Sequence, residues 1–397
     1  MSHVNQADLP KRRLLRLLPC LLGGLVFSAM AGAGQVPAAA ASAQGQYSDP
    51  APAAYRVINL GSGSLGGFSA FNARGQIAIS LADENNVTRA WFYDGKSLRD
   101  IGTLGGSQSF AYGLNDVGEV AGYSYLAGDA TYHAFKWSQR SGMRDLGTLA
   151  GMGGSAFSVS GQYQPINHRG QVAGASSTQG GAILPCLWTP GEGMRDLGAL
   201  PGGEAGYSIA QAINDAGMVA GQIAGAGGVQ PFVWSRRWGL VELGNLGGSF
   251  GGAAGITEDG MVVGNTRTAD EQNRIFVWTR SGGLRDIGTA GGLEAYTSVQ
   301  PLSSNGYVAA NIRFNASTDH AALWTRTRGL VDLGTLGAGG TGSNSGGVNN
   351  RGQVAGIAYL ASGDTAGFIW TAREGMIDLN TRRGCESMRR MPFPTVD

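Results

Sequence analysis

The acids of this chain recur with a regularity that bears on their job. Asp100, Asp145, Asp196, Glu242, Asp286, Asp332 and Asp378 each open a Leu-Gly-Thr-Leu-Gly-Gly segment or a variant of it. Catalysis needs an asymmetric set, whereas a fold needs the same part in every unit. A carboxylate at such a place accepts turn amides or pairs across its hairpin. Glu204, Glu258, Asp259 and Glu294 fall off the pattern. They are the groups open to other chemistry, namely glycan hydrolysis or lysis by two unmatched carboxylates facing each other across a channel.

Metal and nucleophile chemistry find less support. His3 lies in a segment expected to be removed, and His133, His168 and His320 show no metal-ligand spacing. His133 and His320 hold equivalent places ahead of an aromatic run, which again marks a repeated part. No Asp-x-Asp-x-Asp-Gly calcium loop occurs. The Gly-rich pieces Gly247-Gly248-Ser249-Phe250-Gly251-Gly252 and Gly337-Ala338-Gly339-Gly340 lack the Lys-Ser/Thr of a phosphate cradle and read as crossings between units. Ser107, Ser155 and Ser249 fall in such crossings without an orienting His-Asp pair. No residue is assigned to catalysis, metal or cofactor. The candidates for ligand contact are aromatics and an amide in the longer crossings: Phe157, Gln162, Tyr163, Tyr207 and Tyr296. Ring faces and amides on one rim suit a sugar or a peptide.

Three patterns return in fixed order, the sign of a repeat architecture. The acidic segment recurs from Asp100 to Asp378 in six steps of about 46 residues, with an early relative at Asn59-Leu60-Gly61. An Asn-Asp-x-Gly turn recurs with its glycine at Gly75, Gly118, Gly170, Gly217, Gly260, Gly306 and Gly352. An apolar run ends at Tyr93, Trp137, Trp188, Trp234, Trp278, Trp324 and Trp370. From each of the six Trp residues to the next acid the distance is always eight, as a hairpin of fixed register requires. From each acid to the next turn glycine it varies from 18 to 25, so length variation gathers in the crossings. Variable loops on a fixed frame are where recognition usually sits.

Each unit therefore reads as four strands: one before the Asn turn, the Gly-x-Val-Ala-Gly segment, the Ala-Phe-x-Trp run, and the Met-x-Asp-Leu-Gly segment. A single such sheet cannot bury both faces. Copies packed around an axis cover one another and leave few edges. The expected fold is all-β, a β-propeller of about seven four-stranded blades over residues 56–380. The alternatives are eight blades with one incomplete, or a β-solenoid. Either Arg56-Val57-Ile58-Asn59-Leu60 or Ile377-Asp378-Leu379 fills the outer slot of the last blade. Residues 381–397 read as an irregular tail and 44–55 as a linker.

The run His133-Ala134-Phe135-Lys136-Trp137, followed by Met143-Arg144-Asp145-Leu146-Gly147-Thr148-Leu149, resembles the HAF family of bacterial extracellular repeat proteins. The Asn-Asp-x-Gly turn and the Asp-Leu-Gly-Thr-Leu-Gly-Gly motif match that family too. Other units depart from the His-Ala-Phe step, as in Gln230-Pro231-Phe232-Val233-Trp234. The resemblance implies export and repetition, and carries no chemistry to transfer.

The N-terminus agrees with export. Lys11, Arg12, Arg13 and Arg16 precede an apolar stretch from Leu17 to Met30, and small residues follow, so residues 1–43 read as a signal and processing region. Membrane contact is expected only through that signal, and the mature protein is expected to be secreted or periplasmic. Cys186 and Cys385 then remain; they allow one disulfide, with Cys186 as an inert buried thiol the blander reading. A net charge of +1 gives no field for nucleic acid. With 68 Gly, 42% apolar and 14% charged residues, the chain is neither collagen-like nor disordered in composition. The expected function is an exported binding or interaction scaffold for a glycan or another exported protein. The rivals are a glycan-cleaving enzyme and a structural surface protein without a specific ligand.

Overall fold

The computed structural model describes residues 64–65, 70–151, 154–158, 164–202 and 207–379. The expected signal, the linker, Arg56 to Leu60, Cys385 and the C-terminal tail lie outside these residues. Among the described residues there is no α-helix, and seven four-stranded antiparallel sheets follow one another along the chain. This is the β-propeller that the repeat requires.

Blade 1 has strands Ile77–Ala82, Thr88–Tyr93 and Leu98–Asp100. Its first strand comes in two pieces, Ser64–Leu65 and Ala70–Phe71, both paired with Ile77–Ala82. Blade 2 comprises Gly105–Leu114, Val120–Leu126, Tyr132–Ser138 and Gly142–Asp145. Blade 3 runs from Ala156 to Asp196, blade 4 from Ile209 to Glu242 and blade 5 from Gly247 to Asp286. Blade 6 runs from Glu294 to Asp332 and blade 7 from Gly340 to Asp378. Blade 7 takes all four strands from that one stretch, so Gly375–Asp378 fills its outer slot by pairing with Thr365–Thr371.

Packing explains the motifs. The first strand of each blade from 2 to 7 lies against the second and third strands of the blade before it. The terminal Trp of a blade sits in that seam. Trp137 meets the Phe92 ring at 5.0 Å, and Trp188 lies under the Lys136 ammonium and the Arg144 guanidinium. Trp234 and Trp278 pack against Leu187 and Val233 of the preceding blades. Phe135, Phe232, Phe276 and Phe368, two residues before these Trp positions, are fully buried. Each lies across the glycine of its own Val-Ala-Gly or Val-Val-Gly strand. A Cβ on Gly122, Gly221, Gly264 or Gly356 would collide with that ring and with a first-strand carbonyl. Blade 6 has Ala310 at this place, and Ala322 replaces the phenylalanine, so the exchange is matched.

One reading of the Gly-rich pieces needs correction. Gly247 to Gly252 is not a crossing but the start of the first strand of blade 5, Gly247–Ile256. Ser107 and Ser249 lie in first strands as well. The glycines serve register shifts there, between Gly247 and Gly251 and between Ala253 and Gly255, as expected where a strand must bend. Gly337–Gly339 forms a 3-10 turn ahead of Gly340–Val348.

The Asn turns do more than close hairpins. Asn72, Asn115, Asn167 and Asn214 each send Nδ2 to the backbone carbonyl at the same place in the next blade, at 2.9 Å in every case. Their Oδ1 atoms accept backbone N–H groups within the turn, such as Gln76, Glu119, Gln171 and Met218. A single side chain thus fixes the turn and ties two blades.

Candidate functional site

The strands run so that one end of the propeller carries the Asn turns and the third-to-fourth-strand turns. The other end carries the second-to-third-strand hairpins and the crossings. The strand-four acids have structural partners. Asp100, Asp145, Asp196, Asp286 and Asp332 each accept the N–H of the glycine two residues on, at 2.8 Å. Four of them also face an Arg or His four residues before the terminal aromatic: Arg89 with Asp100, His133 with Asp145, Arg274 with Asp286 and His320 with Asp332. Glu242 lies in the same register opposite Phe232, as Asp378 does opposite Phe368.

The off-pattern acids do not converge either. Glu258 accepts the N–H of Asp215, Asp259 pairs with Arg326 at 2.7 Å, and Glu294 binds Asn273 and Arg313. The first two sit on the Asn-turn end, whereas Glu294 opens a first strand at the crossing end. Each has a partner, so none of the three is an unmatched carboxylate. Glu204 lies outside the described residues. Among the described residues no group of three or more His, Cys, Asp or Glu is placed to hold a metal. Cys186 is a buried free thiol, and burial pushes its pKa upward.

The aromatic candidates fall in separate places. Gln162 and Tyr163 lie outside the described residues; Phe157 is in the first strand of blade 3, Ala156–Ser158. Tyr296 is in blade 6, where its hydroxyl binds Asp319 Oδ2 at 2.5 Å and Arg313 lies over its ring. Tyr207 precedes blade 4, is 45% exposed and bridges to Ile183 of blade 3. The structure therefore does not bring Tyr207 and Tyr296 together.

It does bring together a tyrosine ledge on blade 2, toward the crossing end. Tyr123 stacks on Phe110 at 4.7 Å with an interplanar angle of 19°, and on Tyr112 at 5.8 Å. Tyr132 touches both Tyr123 and Tyr125, at 5.2 and 5.6 Å. Pairing explains the cluster: Phe110 lies opposite Tyr123, and Tyr125 opposite Tyr132. Tyr207 bridges to Ile183, which packs with Tyr123 and Tyr132, and burial pushes the Tyr207 hydroxyl upward. Tyr123 and Tyr132 also pack with Ala175, Ile183 and Ile209 of blades 3 and 4. Burial pushes the Tyr123 hydroxyl far up, with Tyr112 adding to it. Tyr112, Tyr123, Tyr132 and Tyr207 are all pushed upward, chiefly by burial, and stay protonated at physiological pH. They can donate and accept hydrogen bonds and offer ring faces, but they cannot serve as bases. The spacing-two pairs Phe110-x-Tyr112 and Tyr123-x-Tyr125 were the sequence signal for this ledge, since alternate residues share a strand face.

No protein-family model matches this chain, and no curated protein does. Solved structures match in fold. Puromycin hydrolase, as its S511A mutant complexed with PGG, aligns with a TM-score of 0.52 at 12% identity, over 80% of this chain and 54% of that one. The β-propeller domain of the Trilobed protease from Pyrococcus furiosus, described as having an open velcro topology, aligns with a TM-score of 0.50 at 6% identity. That match covers 83% of this chain and 100% of the other. The chain thus spans about half the length of the hydrolase. At these identities the likeness concerns fold alone: the class is a β-propeller.

Proposed function

We propose that this chain is an exported binding scaffold whose tyrosine ledge takes a glycan. The observation that carries this reading is the continuous set of Tyr123, Tyr125, Tyr132 and Phe110 rings, reaching Tyr207 through Ile183 of blade 3. Rings of this kind give large contact at small entropic cost, and their hydroxyls fix orientation. A pyranose offers the matching surface, an apolar C–H face rimmed by hydroxyls. Export is supported by the charged, apolar and small-residue order of residues 1–43 and by the HAF-type resemblance. Five of the strand-four acids and the three described off-pattern acids serve structural links, which favours binding over glycan cleavage.

The test is a glycan array with the secreted protein, followed by calorimetry on the best glycan. Tyr125→Ala and Tyr207→Ala, at the partly exposed ends of the ledge, are expected to weaken binding at least tenfold while the melting temperature holds. Tyr359→Ala, an exposed tyrosine on blade 7, is expected to change nothing. Unchanged affinity in the two ledge variants would defeat the reading. So would steady consumption of the glycan.

A further inference from the structure

A second site lies at the opposite end of the propeller, in the seam between blades 5 and 6. A cavity of about 410 Å³ opens there, lined by Met261, Val277, Gly282, Arg285, Trp324 and Arg326 among others. That volume falls in the range of small-molecule sites.

The preceding seam shows what is missing. Each third-to-fourth-strand turn begins at the terminal Trp, and Trp238 stands four residues after Trp234. Its indole packs in the blade 4–5 seam with Val233 and Trp278. The Arg280 guanidinium of blade 5 covers it at 3.9 Å. In the next seam every part recurs but one. Arg326 stands two residues after Trp324, as Arg280 does after Trp278, and Trp324 stands where Trp278 stood. The place of Trp238 is taken by Gly282. The lid and the floor are present, and the ring between them is absent.

The remaining groups set the polarity of the occupant. Arg326 is held in place by Asp259 at 2.7 Å and also reaches Met261 Sδ at 3.4 Å. Asp286 is occupied by Arg274 and by the N–H of Gly288. Arg285 lines the cavity and makes no hydrogen bond or ion pair with any described residue. We propose that this cavity binds a planar aromatic ring bearing a carboxylate. The ring takes the place of the missing indole, between the Arg326 guanidinium and the apolar wall of Val277 and Trp324, beside Met261. The carboxylate pairs with Arg285, for which a guanidinium is well shaped.

Indole-3-acetate is the probe, with its methyl ester as the uncharged control, and binding is read by calorimetry and saturation-transfer NMR on the whole protein. The wild type is expected to bind the acid, with the ester about tenfold weaker. Arg285→Ala is expected to lose the same factor for the acid and nothing for the ester. Gly282→Trp fills the void with the chain's own indole and should abolish binding. Its backbone is outside the left-handed region; a Cβ there would meet the Thr279 hydroxyl at 2.8 Å, so that side chain must turn aside, while the N–H-to-hydroxyl bond is the same as the one from Trp238 to Ser235. If that variant fails to fold, Arg326→Ala serves in its place and should weaken acid and ester alike. A wild type that binds neither compound overturns the proposal. So does a Gly282→Trp or Arg326→Ala protein that folds and binds as the wild type does. Equal affinity for acid and ester removes the carboxylate from it. Ledge variants such as Tyr207→Ala should leave this binding unchanged, so the two sites fail separately.

Discussion

Blades 1 to 4 and blades 5 and 6 are joined in different ways. In the first group each turn asparagine crosses to the next blade through Nδ2. In blades 5 and 6 the same position holds Thr257 and Ser303. Their hydroxyls still accept the N–H four residues on, from Met261 and Tyr307, but carry no amide to reach across. At the turn level, blade 6 reaches blade 7 through Ser304 and Asn305, which bind Asn350, and Asp259 of blade 5 pairs with Arg326 of blade 6. Further ties lie in the middle of the sheets. Asn265 of blade 5 exchanges two bonds with Thr297 of blade 6, and Asn311 accepts the N–H of Ser345 in blade 7. The comparison separates two jobs that one residue does elsewhere: closing the turn, and tying the blades. Only the second needs asparagine. The vacant groove lies in the seam of blades 5 and 6, where Thr257 carries no amide and the Asp259–Arg326 pair makes the tie at the turns.

The largest effect expected on this frame is at its most crowded point. Gly221→Ala in blade 4 sets a methyl against the Ile209 carbonyl and the Phe232 ring, and should cost about 3 kcal/mol. Ala310→Gly, at the equivalent place in blade 6 where no phenylalanine crosses, should cost no more than about 1 kcal/mol. Urea unfolding of both variants checks this, and equal losses would mean that the blades do not differ here.

Next in size is the asparagine itself. Asn167 is 1% exposed; its removal takes one of two donors from the Asn214 carbonyl and leaves the N–H groups of Arg169 and Gln171 without their acceptor. Asn167→Ala should cost about 2 kcal/mol, and Ser303→Ala about half as much, since only the turn is loosened. The converse change sharpens the contrast. Thr257→Asn should restore the amide reach toward the Ser303 carbonyl and gain about 1 kcal/mol. A loss on Thr257→Asn would show that the spacing of blades 5 and 6 has drifted away from the ladder.

The sequence carried the unit, its strand order and its seam aromatics, because a hairpin eight residues from Trp to acid leaves a fixed mark on the chain. Blade packing leaves a weaker one. The turn asparagines were visible as turn residues, but their Nδ2 partners lie 43 to 52 residues away and belong to the neighbouring blade. The tyrosine ledge depends on Phe110 facing Tyr123 across a bulged pair of strands, and the bulge between Ala111 and Gly113 is silent in composition. Gly247 to Gly252 looked like a crossing because glycine is common in both loops and bent first strands. The groove over Trp324 is the absence of a side chain, seen only when the turns of blades 4 and 5 are compared.

The smallest expected effect is the one that pH should control. In blade 3 the turn carries His168 where other blades carry Asp116 or Asp215. Its ring spans three blades, with Nε2 at 3.1 Å from Asp116 and Nδ1 at 2.7 Å from Asp215. Both nitrogens can donate only in the imidazolium form. Burial draws its pKa down, but the hydrogen bonds and charges of Asp215 and Asp116 outweigh it, and the net shift is upward. A raised value means that the bridge stabilises the folded chain fully below the ordinary histidine value of about 6.5. That contribution fades as pH rises through the folded value. The side chain is 40% exposed, so the effect is a modest one. His168→Asn keeps the backbone bond from residue 168 to Asp215 and removes the titrating ring. The wild type should melt above this variant at about pH 6, and the gap should close at about pH 8.5. A gap that is constant with pH would mean that the ring holds the three blades by shape and not by charge.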